Sequence, residues 1–178
     1  MTLNEKIIDI LKQHPEGGEK FFNALDLMIR SDQNIGKTFI DWVCNYDFYH
    51  MISPIAINGV FGSQTSMNSS DLGVIVTGRF GHYVMSNFAK ELANNFKDVI
   101  VVNGGIREGK SPEIFKSNLE ATHYILLDDS YYSGTTMRSI SEALGKINRH
   151  AAIIQTFVVY DGSKDSQEFV KSMYRYYE

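Results

Sequence analysis

The spacing of apolar positions changes once along the chain, near Asp71. Before that point it is helical. Leu3, Ile7, Ile10 and Leu11 predict one short helix, stopped by Pro15, Gly17 and Gly18. Phe21, Phe22, Leu25, Met28 and Ile29 predict a second, and Ile35, Phe39, Trp42, Val43 and Tyr46 a third. Met51 to Phe61 reads as extended and Gly-punctuated, one strand or two, and Gly62 to Asp71 as a polar loop. After Asp71, strand and helix alternate. Leu72–Val76, Val99–Val102, Tyr124–Leu127 and Ala152–Val159 read as buried strands. Tyr83, Val84, Phe88, Leu92 and Phe96 mark a helix after the first, and Met137, Ile140, Ala143, Leu144 and Ile147 a helix after the third. Such alternation implies right-handed crossovers, hence an α/β fold with a mostly parallel sheet flanked by helices. The expected organisation is an N-terminal helical cap over residues 1–70, an α/β core over 71–162, and a C-terminal segment, 163–178, packed on core or cap.

Composition narrows the class. With 178 residues and 43% hydrophobic content, the chain can bury one core. A net charge of -4 gives no electrostatic case for nucleic acid. No apolar run approaches a membrane span, and Asn4, Glu5, Lys6 and Asp9 interrupt any signal-peptide pattern, so a cytoplasmic protein is expected. The lone cysteine, Cys44, lies in a helical apolar pattern and reads as core. Ile35-Gly36-Lys37-Thr38 ends like a Walker phosphate loop but lacks the earlier glycine and a preceding strand.

The chemistry concentrates at Tyr124-Ile-Leu-Leu-Asp-Asp-Ser-Tyr-Tyr-Ser-Gly-Thr-Thr-Met137. An apolar strand runs into two acids, a small-polar turn and a helix N-terminus. Gly134 permits a tight turn, and the amides of Ser133 to Thr136 can converge with the helix dipole behind them, which suits a phosphate. Asp128 and Asp129 would repel that phosphate. They suit sugar hydroxyls or a hydrated Mg²⁺. An ordinary acidic turn before a helix requires neither two acids nor Gly-Thr-Thr. A second strand-to-helix turn, Thr77-Gly78-Arg79-Phe80-Gly81, precedes a helix expected to start near His82, and Arg79 adds a forked cation. A third segment, residues 103–112, reads as a mobile loop carrying Arg107 and Lys110.

The 124–137 segment closely resembles the phosphoribosyl pyrophosphate (PRPP) motif of the class I phosphoribosyltransferases. That resemblance implies a phosphoribosyltransferase-like fold with a Rossmann-like core and a base-recognising hood. It implies PRPP bound by Asp128, Asp129, Ser130, Tyr131, Tyr132, Ser133, Gly134, Thr135 and Thr136, with the two aspartates on the ribose hydroxyls and Tyr132 to Thr136 around the 5-phosphate. Pyrophosphate would meet Thr77, Gly78, Arg79, Phe80 and Gly81, with Arg107 and Lys110 reaching in from the loop. Asp128, Asp129, Arg79 and Lys110 would carry catalysis, and Mg²⁺ would be held through water by Asp128 and Asp129. The implied partners are PRPP and a purine, pyrimidine or other small aromatic nitrogen acceptor, in a homodimer. Tyr132 departs from the pattern, since members using 6-oxopurines carry an acid there; hypoxanthine and guanine are therefore poor acceptors. A catalytically silent PRPP- or nucleotide-binding protein, sensor or interaction module, is the alternative on the same fold.

Overall fold

The computed structural model describes residues 1–48 and 68–177. The extended segment expected at Met51–Phe61, and the loop after it up to residue 67, lie outside the described residues. Three helices open the chain: α1 (Leu3–Gln13), α2 (Gly18–Ser31) and α3 (Gln33–Cys44). Thr2 and Glu5 form a reciprocal capping box on α1, and the Asp32 side chain caps α3. After a single 3₁₀ turn at Ser69–Asp71 follow β1 (Gly73–Thr77), α4 (Gly78–Asn95), β2 (Asp98–Val102), β3 (His123–Tyr131), α5 (Thr135–Ile147), β4 (Ala152–Asp161) and β5 (Val170–Arg175).

The strands form one sheet, ordered β2-β1-β3-β4-β5, with every pairing parallel. Strand side chains alternate between its faces. Val74, Val76, Ile125 and Leu127 join α1–α4 in the larger core, while Ile75, Tyr124 and Leu126 join α5 in the smaller one. A bulge in the β3–β4 ladder, where Tyr124 pairs Ile153 but Ile125 pairs Gln155, makes Ile154 the extra residue and turns it to the α1–α4 face. The helical cap is fixed to the sheet by rings. Phe157 of β4 meets Trp42 at 5.1 Å and Tyr46 at 5.0 Å between centroids, both edge-on. Gly36, the glycine of the Walker-like tetrapeptide, is buried inside α3; a Cβ there would lie 2.2 Å from the Tyr83 hydroxyl of α4. It is a helix-packing residue.

The structure differs from the sequence-based reading at three places that matter for the site. β3 does not stop at Leu127. Asp128, Ser130 and Tyr131 pair with Val158, Tyr160 and Asp161 of β4, because a backbone ladder continues regardless of side-chain polarity. α4 starts at Gly78, not near His82, since Gly78 at φ 68° turns the chain straight from strand into helix. The C-terminal segment contributes a strand: Val170–Arg175 lies along β4 as the sheet edge, held at its end by Arg175 Nη1 donating to the buried Asp161 carboxylate at 2.6 Å. α4 is also kinked at Phe88, where the Asn87 side chain donates to the Tyr83 carbonyl at 2.8 Å and competes with the helix ladder.

Candidate functional site

Parallel strands end together, so the turns that follow them share one edge of the sheet. Here the carboxyl ends of β1, β2 and β3 present three segments, Thr77–Gly78, Asn103–Glu113 and Asp128–Thr136, with α2 facing them from the cap. Between them lies an open cleft of about 1210 Å³, counted with its mouth. Thr77, Gly78, Arg79, Arg107, Lys110, Asp128, Asp129 and Thr136 all line it. A much tighter recess, with room for about one water, opens beside it between Arg107 and the 130–137 turn.

The aspartates stand on opposite faces of β3, as neighbours in a strand must. Asp128 shares its face with Leu126, and Asp129 shares its face with Leu127. At the strand's end, past the last residue of β1 paired with it (Val76 with Leu127), both can reach the cleft. The Asp129 amide donates to Asp128 Oδ1 at 2.9 Å, and Ser130 Oγ donates to Asp129 Oδ1 at 3.2 Å. Burial raises the Asp128 carboxyl well above the ordinary range, the Asp129 charge adds to that, and Arg107 opposes it. Burial also raises Asp129, against the lowering effects of Asp128, Arg107 and Ser130. Both carboxyls hold a proton more tightly than an exposed aspartate does, and a cation or a set of hydroxyl donors would favour their ionised forms.

The turn after β3 is built as an amide cradle. Gly134 sits at φ 78°, and a Cβ there would lie 2.7 Å from the Tyr131 hydroxyl and 3.0 Å from Arg138 Nη1. Any other residue would be strained by that backbone conformation and would push the ends of both side chains aside. Arg138 Nη1 donates to the Ser133 carbonyl at 2.7 Å. Those amides have no partner within the helix, as at any helix start. Ser133 Oγ and Thr135 Oγ1 are 2.9 Å apart and present hydroxyls to the same rim.

The tyrosines of the turn part company. Tyr131 is buried beneath Gly134 on the α5 side. Tyr132 swings to the cap side, where it meets Phe22 edge-on at 5.2 Å and lies 5.7 Å from Tyr160. Its ring packs against the α2 end of the site, and the residue also borders the narrow recess with the 133–136 turn. Burial pushes its phenol far above the ordinary tyrosine range, with Tyr160 contributing, so it carries no charge at physiological pH.

The second turn divides similarly. Thr77 Oγ1 donates to the Asn103 carbonyl at 3.0 Å, and a Cβ on Gly104 would lie 3.1 Å from the Gly78 Cα, so the two loops touch through glycines. Arg79 is exposed at the cleft rim, with Nη1 3.3 Å from Asn23 Oδ1 and 3.9 Å from Asp26 Oδ2. Phe80 sends its ring into the core, 5.3 Å from Phe39. Gly81 packs behind the turn, where a Cβ would be 3.0 Å from the Val76 carbonyl carbon, and it does not line the cleft. Arg107 lines the same cleft from the loop after β2. Its guanidinium stacks over Phe22 at 4.2 Å from the ring centre, and Nη2 donates to Ser130 Oγ at 3.2 Å.

The sequence analysis missed the α2 wall: Glu19, Phe22, Asn23 and Asp26. The signal was there. Positions 19, 22, 23 and 26 share one helix face, and Asp26 is a buried acid beside the apolar Phe21, Leu25 and Ile29. Asp26 is held by Arg30, whose Nε and Nη2 donate to Asp26 Oδ2 at 3.0 and 2.9 Å. The expectation that Cys44 is unreactive agrees with its surroundings, since burial pushes its thiol up to about 11.

No protein-family model matches the chain. No curated protein matches it either. Solved structures do. The chain is similar to the orotate phosphoribosyltransferase of Aeropyrum pernix, with 14% identity, a TM-score of 0.49 and coverage of 82% of this chain and 74% of that one. It is similar to the xanthine-guanine-hypoxanthine phosphoribosyltransferase of Helicobacter pylori, with 10% identity, a TM-score of 0.43 and coverage of 77% and 78%. A hypoxanthine phosphoribosyltransferase of Staphylococcus aureus follows, with 16% identity, a TM-score of 0.40 and coverage of 62% and 65%. All three are named phosphoribosyltransferases.

Proposed function

We propose that the protein transfers the 5-phosphoribosyl group of PRPP to a ring nitrogen of a nitrogenous base, releasing pyrophosphate. The observation that carries this reading is the joining of Asp128, Asp129 and the Thr136 end of the amide cradle to Arg79 and Lys110 around one cleft. A sugar with phosphate at one end and diphosphate at the other matches that order of groups. The 5-phosphate would sit on the amides at the start of α5, the ribose hydroxyls would donate to Asp128 and Asp129, and the diphosphate would face Arg79, Lys110 and the Gly78 turn.

In the reaction, the bond from the anomeric carbon to the diphosphate oxygen breaks, and a bond to the acceptor nitrogen forms. Positive charge grows on the sugar between those events. The two carboxylates beside the ribose favour that charge, and the cations at the far wall favour the leaving anion. Binding at the 5-phosphate cradle holds the sugar in line. Among the described residues no group of three or more His, Cys, Asp or Glu could form an all-protein metal cage. Two adjacent carboxylates do fit a Mg²⁺ that keeps its waters and takes phosphate oxygens as its other ligands. Once bound, the ion would neutralise the leaving diphosphate.

Acceptor recognition is assigned to the cap, residues 1–70, through the α2 wall, with the PRPP site in the 71–162 core and the 163–178 segment supporting the sheet edge. Phe22 and Tyr132 provide aromatic surface there. A catalytically silent binding protein remains the second reading, favoured by Tyr132, which cannot take a proton from an acceptor. The deciding experiment incubates the protein with PRPP, Mg²⁺ and a panel of purines, pyrimidines and pyridine-type rings and measures pyrophosphate. Acceptor-dependent release supports the transferase. PRPP binding with no release by any acceptor supports the silent reading.

A further inference from the structure

A buried hydroxyl lies beneath the amide cradle. Thr156 of β4 is 1% exposed, and among the described residues its Oγ1 meets no hydrogen-bond partner. Its backbone is fixed, since the Thr156 amide donates to the Phe169 carbonyl at 2.7 Å. The side chain lines the recess below the start of α5, together with Leu126, Asp128 and Met137. Buried hydroxyls are nearly always hydrogen-bonded, so this one calls for a partner that the recess can hold.

The β3–β4 bulge puts it there. Ile153 packs on the α5 side of the sheet and Ile154 on the cap side. Strict alternation would then turn residue 156 to the cap. The extra residue reverses that order, so Thr156 pairs with Leu126 and shares its α5 face, while Phe157 goes to the cap. Asp128 pairs with Val158, which makes Thr156 and Asp128 diagonal neighbours on one face. Side chains so placed stand roughly 6–7 Å apart at their Cβ atoms. No direct bond joins the two here, and the span suits a bridging water. The recess has room for about one water and is too tight for a phosphate.

We propose that Thr156 is a positioning residue: its hydroxyl holds one water in the recess, and that water holds the Asp128 carboxylate in the orientation that receives a ribose hydroxyl. The role toward ribose rests on the PRPP reading of the cleft. A hydroxyl and a water each donate and accept, so the pair serves Asp128 in both of its states. It accepts from the protonated carboxyl of the free protein, and it donates to the carboxylate once a ligand favours ionisation. A valine at 156 would leave the carboxylate without that donor. The charged groups that face Asp128 are Asp129 beside it and Arg107 from the loop after β2. Tyr131 and Tyr132 border the recess with phenols that burial keeps neutral, and α5 brings the uncharged Thr135, Thr136 and Met137.

The test titrates the aspartate carboxyl carbons of the free, full chain against pH by NMR, comparing wild type, Thr156→Val and Thr156→Ser. The Asp128 signal is the one missing in Asp128→Asn. In Thr156→Val its midpoint should move up by about one pH unit, because a hydrogen bond to the charged form is lost. PRPP with Mg²⁺ should bind that variant about tenfold weaker at neutral pH by calorimetry. Thr156→Ser keeps the hydroxyl and should restore both. An unchanged midpoint in Thr156→Val, or a serine variant that behaves like the valine, overturns the inference and leaves the PRPP site standing. If the valine variant does not unfold cooperatively, a crystal structure of the wild type decides. A water within hydrogen-bond distance of both Thr156 Oγ1 and the Asp128 carboxyl supports the inference, and a dry recess or a ligand oxygen in that place overturns it. Failure of the wild type to bind PRPP overturns the reading of the cleft and with it the role toward ribose, while the midpoint still decides the water.

Discussion

The two ends of the cleft are made by different means. The end at α5 is backbone: a positive-φ glycine, amides with no partner within the helix, and a carbonyl bonded by Arg138. The end at α2 is side chains brought from three distant segments, with Arg107 stacked on Phe22 and Tyr132 meeting Phe22 edge-on. Backbone sites are encoded in a few contiguous residues and can bind one kind of group, here an anion. Side-chain sites depend on the whole fold and can change their selectivity one residue at a time. Phosphate binding should therefore be brittle to mutation at the first end, and acceptor choice graded at the second.

The largest effect belongs to the aspartates between the two ends. Asp128→Asn with Asp129→Asn should lower pyrophosphate release at least 10³-fold while the thermal unfolding transition stays cooperative, since the substitutions preserve size and the β3–β4 ladder. Turnover within tenfold of wild type would remove both carboxylates from the chemistry.

Gly134→Ala comes next. It combines a left-handed backbone with contacts at 2.7 and 3.0 Å. Strain of about 1–3 kcal/mol should appear as PRPP affinity reduced about tenfold to a hundredfold, read by calorimetry. Arg138→Ala should relax part of that clash, so the double variant should recover some affinity.

At the side-chain end, Phe22→Ala should raise the acceptor KM about tenfold and leave PRPP affinity within threefold, as expected for a lost stacking wall. Tyr132→Phe should change neither by more than about twofold, because its phenol stays neutral and its ring does the packing. A large loss in Tyr132→Phe would give the hydroxyl a role that the geometry does not.

The smallest effect is on stability. The Asp128 carboxyl is raised in the folded state, so the folded protein holds that proton more tightly than the unfolded chain. Stability from this group is fully present below the ordinary carboxylate range and is lost as pH rises through the raised value. Asp128→Asn should therefore be more stable than wild type at pH 7.5, with the difference shrinking toward pH 4. By the same linkage, Mg²⁺ with PRPP should release protons on binding, visible as a dependence of calorimetric heat on the buffer's ionisation enthalpy.

How far the sequence disclosed this follows from the same contrast. Residues 124–137 carried the strand, the acids, the turn and the helix start in order, because each is a local consequence of local residues. β3 was read too short because the apolar run ends at Leu127, while the ladder to β4 does not. β5 was not read as a strand because an edge strand of Val-Lys-Ser-Met-Tyr-Arg has little apolar pattern and is ordered by its neighbour. The α2 wall and the stacking of Arg107 on Phe22 span 85 positions of sequence separation, from 22 to 107, and no spacing rule reaches that far. α4 begins at Gly78, four residues before the expected start near His82, so the Phe80 ring packs on Phe39 while the residue still borders the cleft, and Gly81 packs behind the turn.

A crystal structure with PRPP and Mg²⁺ tests the central claim most directly. It should place the 5-phosphate on the amides at the start of α5, the ribose hydroxyls on Asp128 and Asp129, and the diphosphate beside Arg79 and Lys110. A sugar phosphate bound elsewhere, or the two carboxylates left untouched by it, would contradict the account.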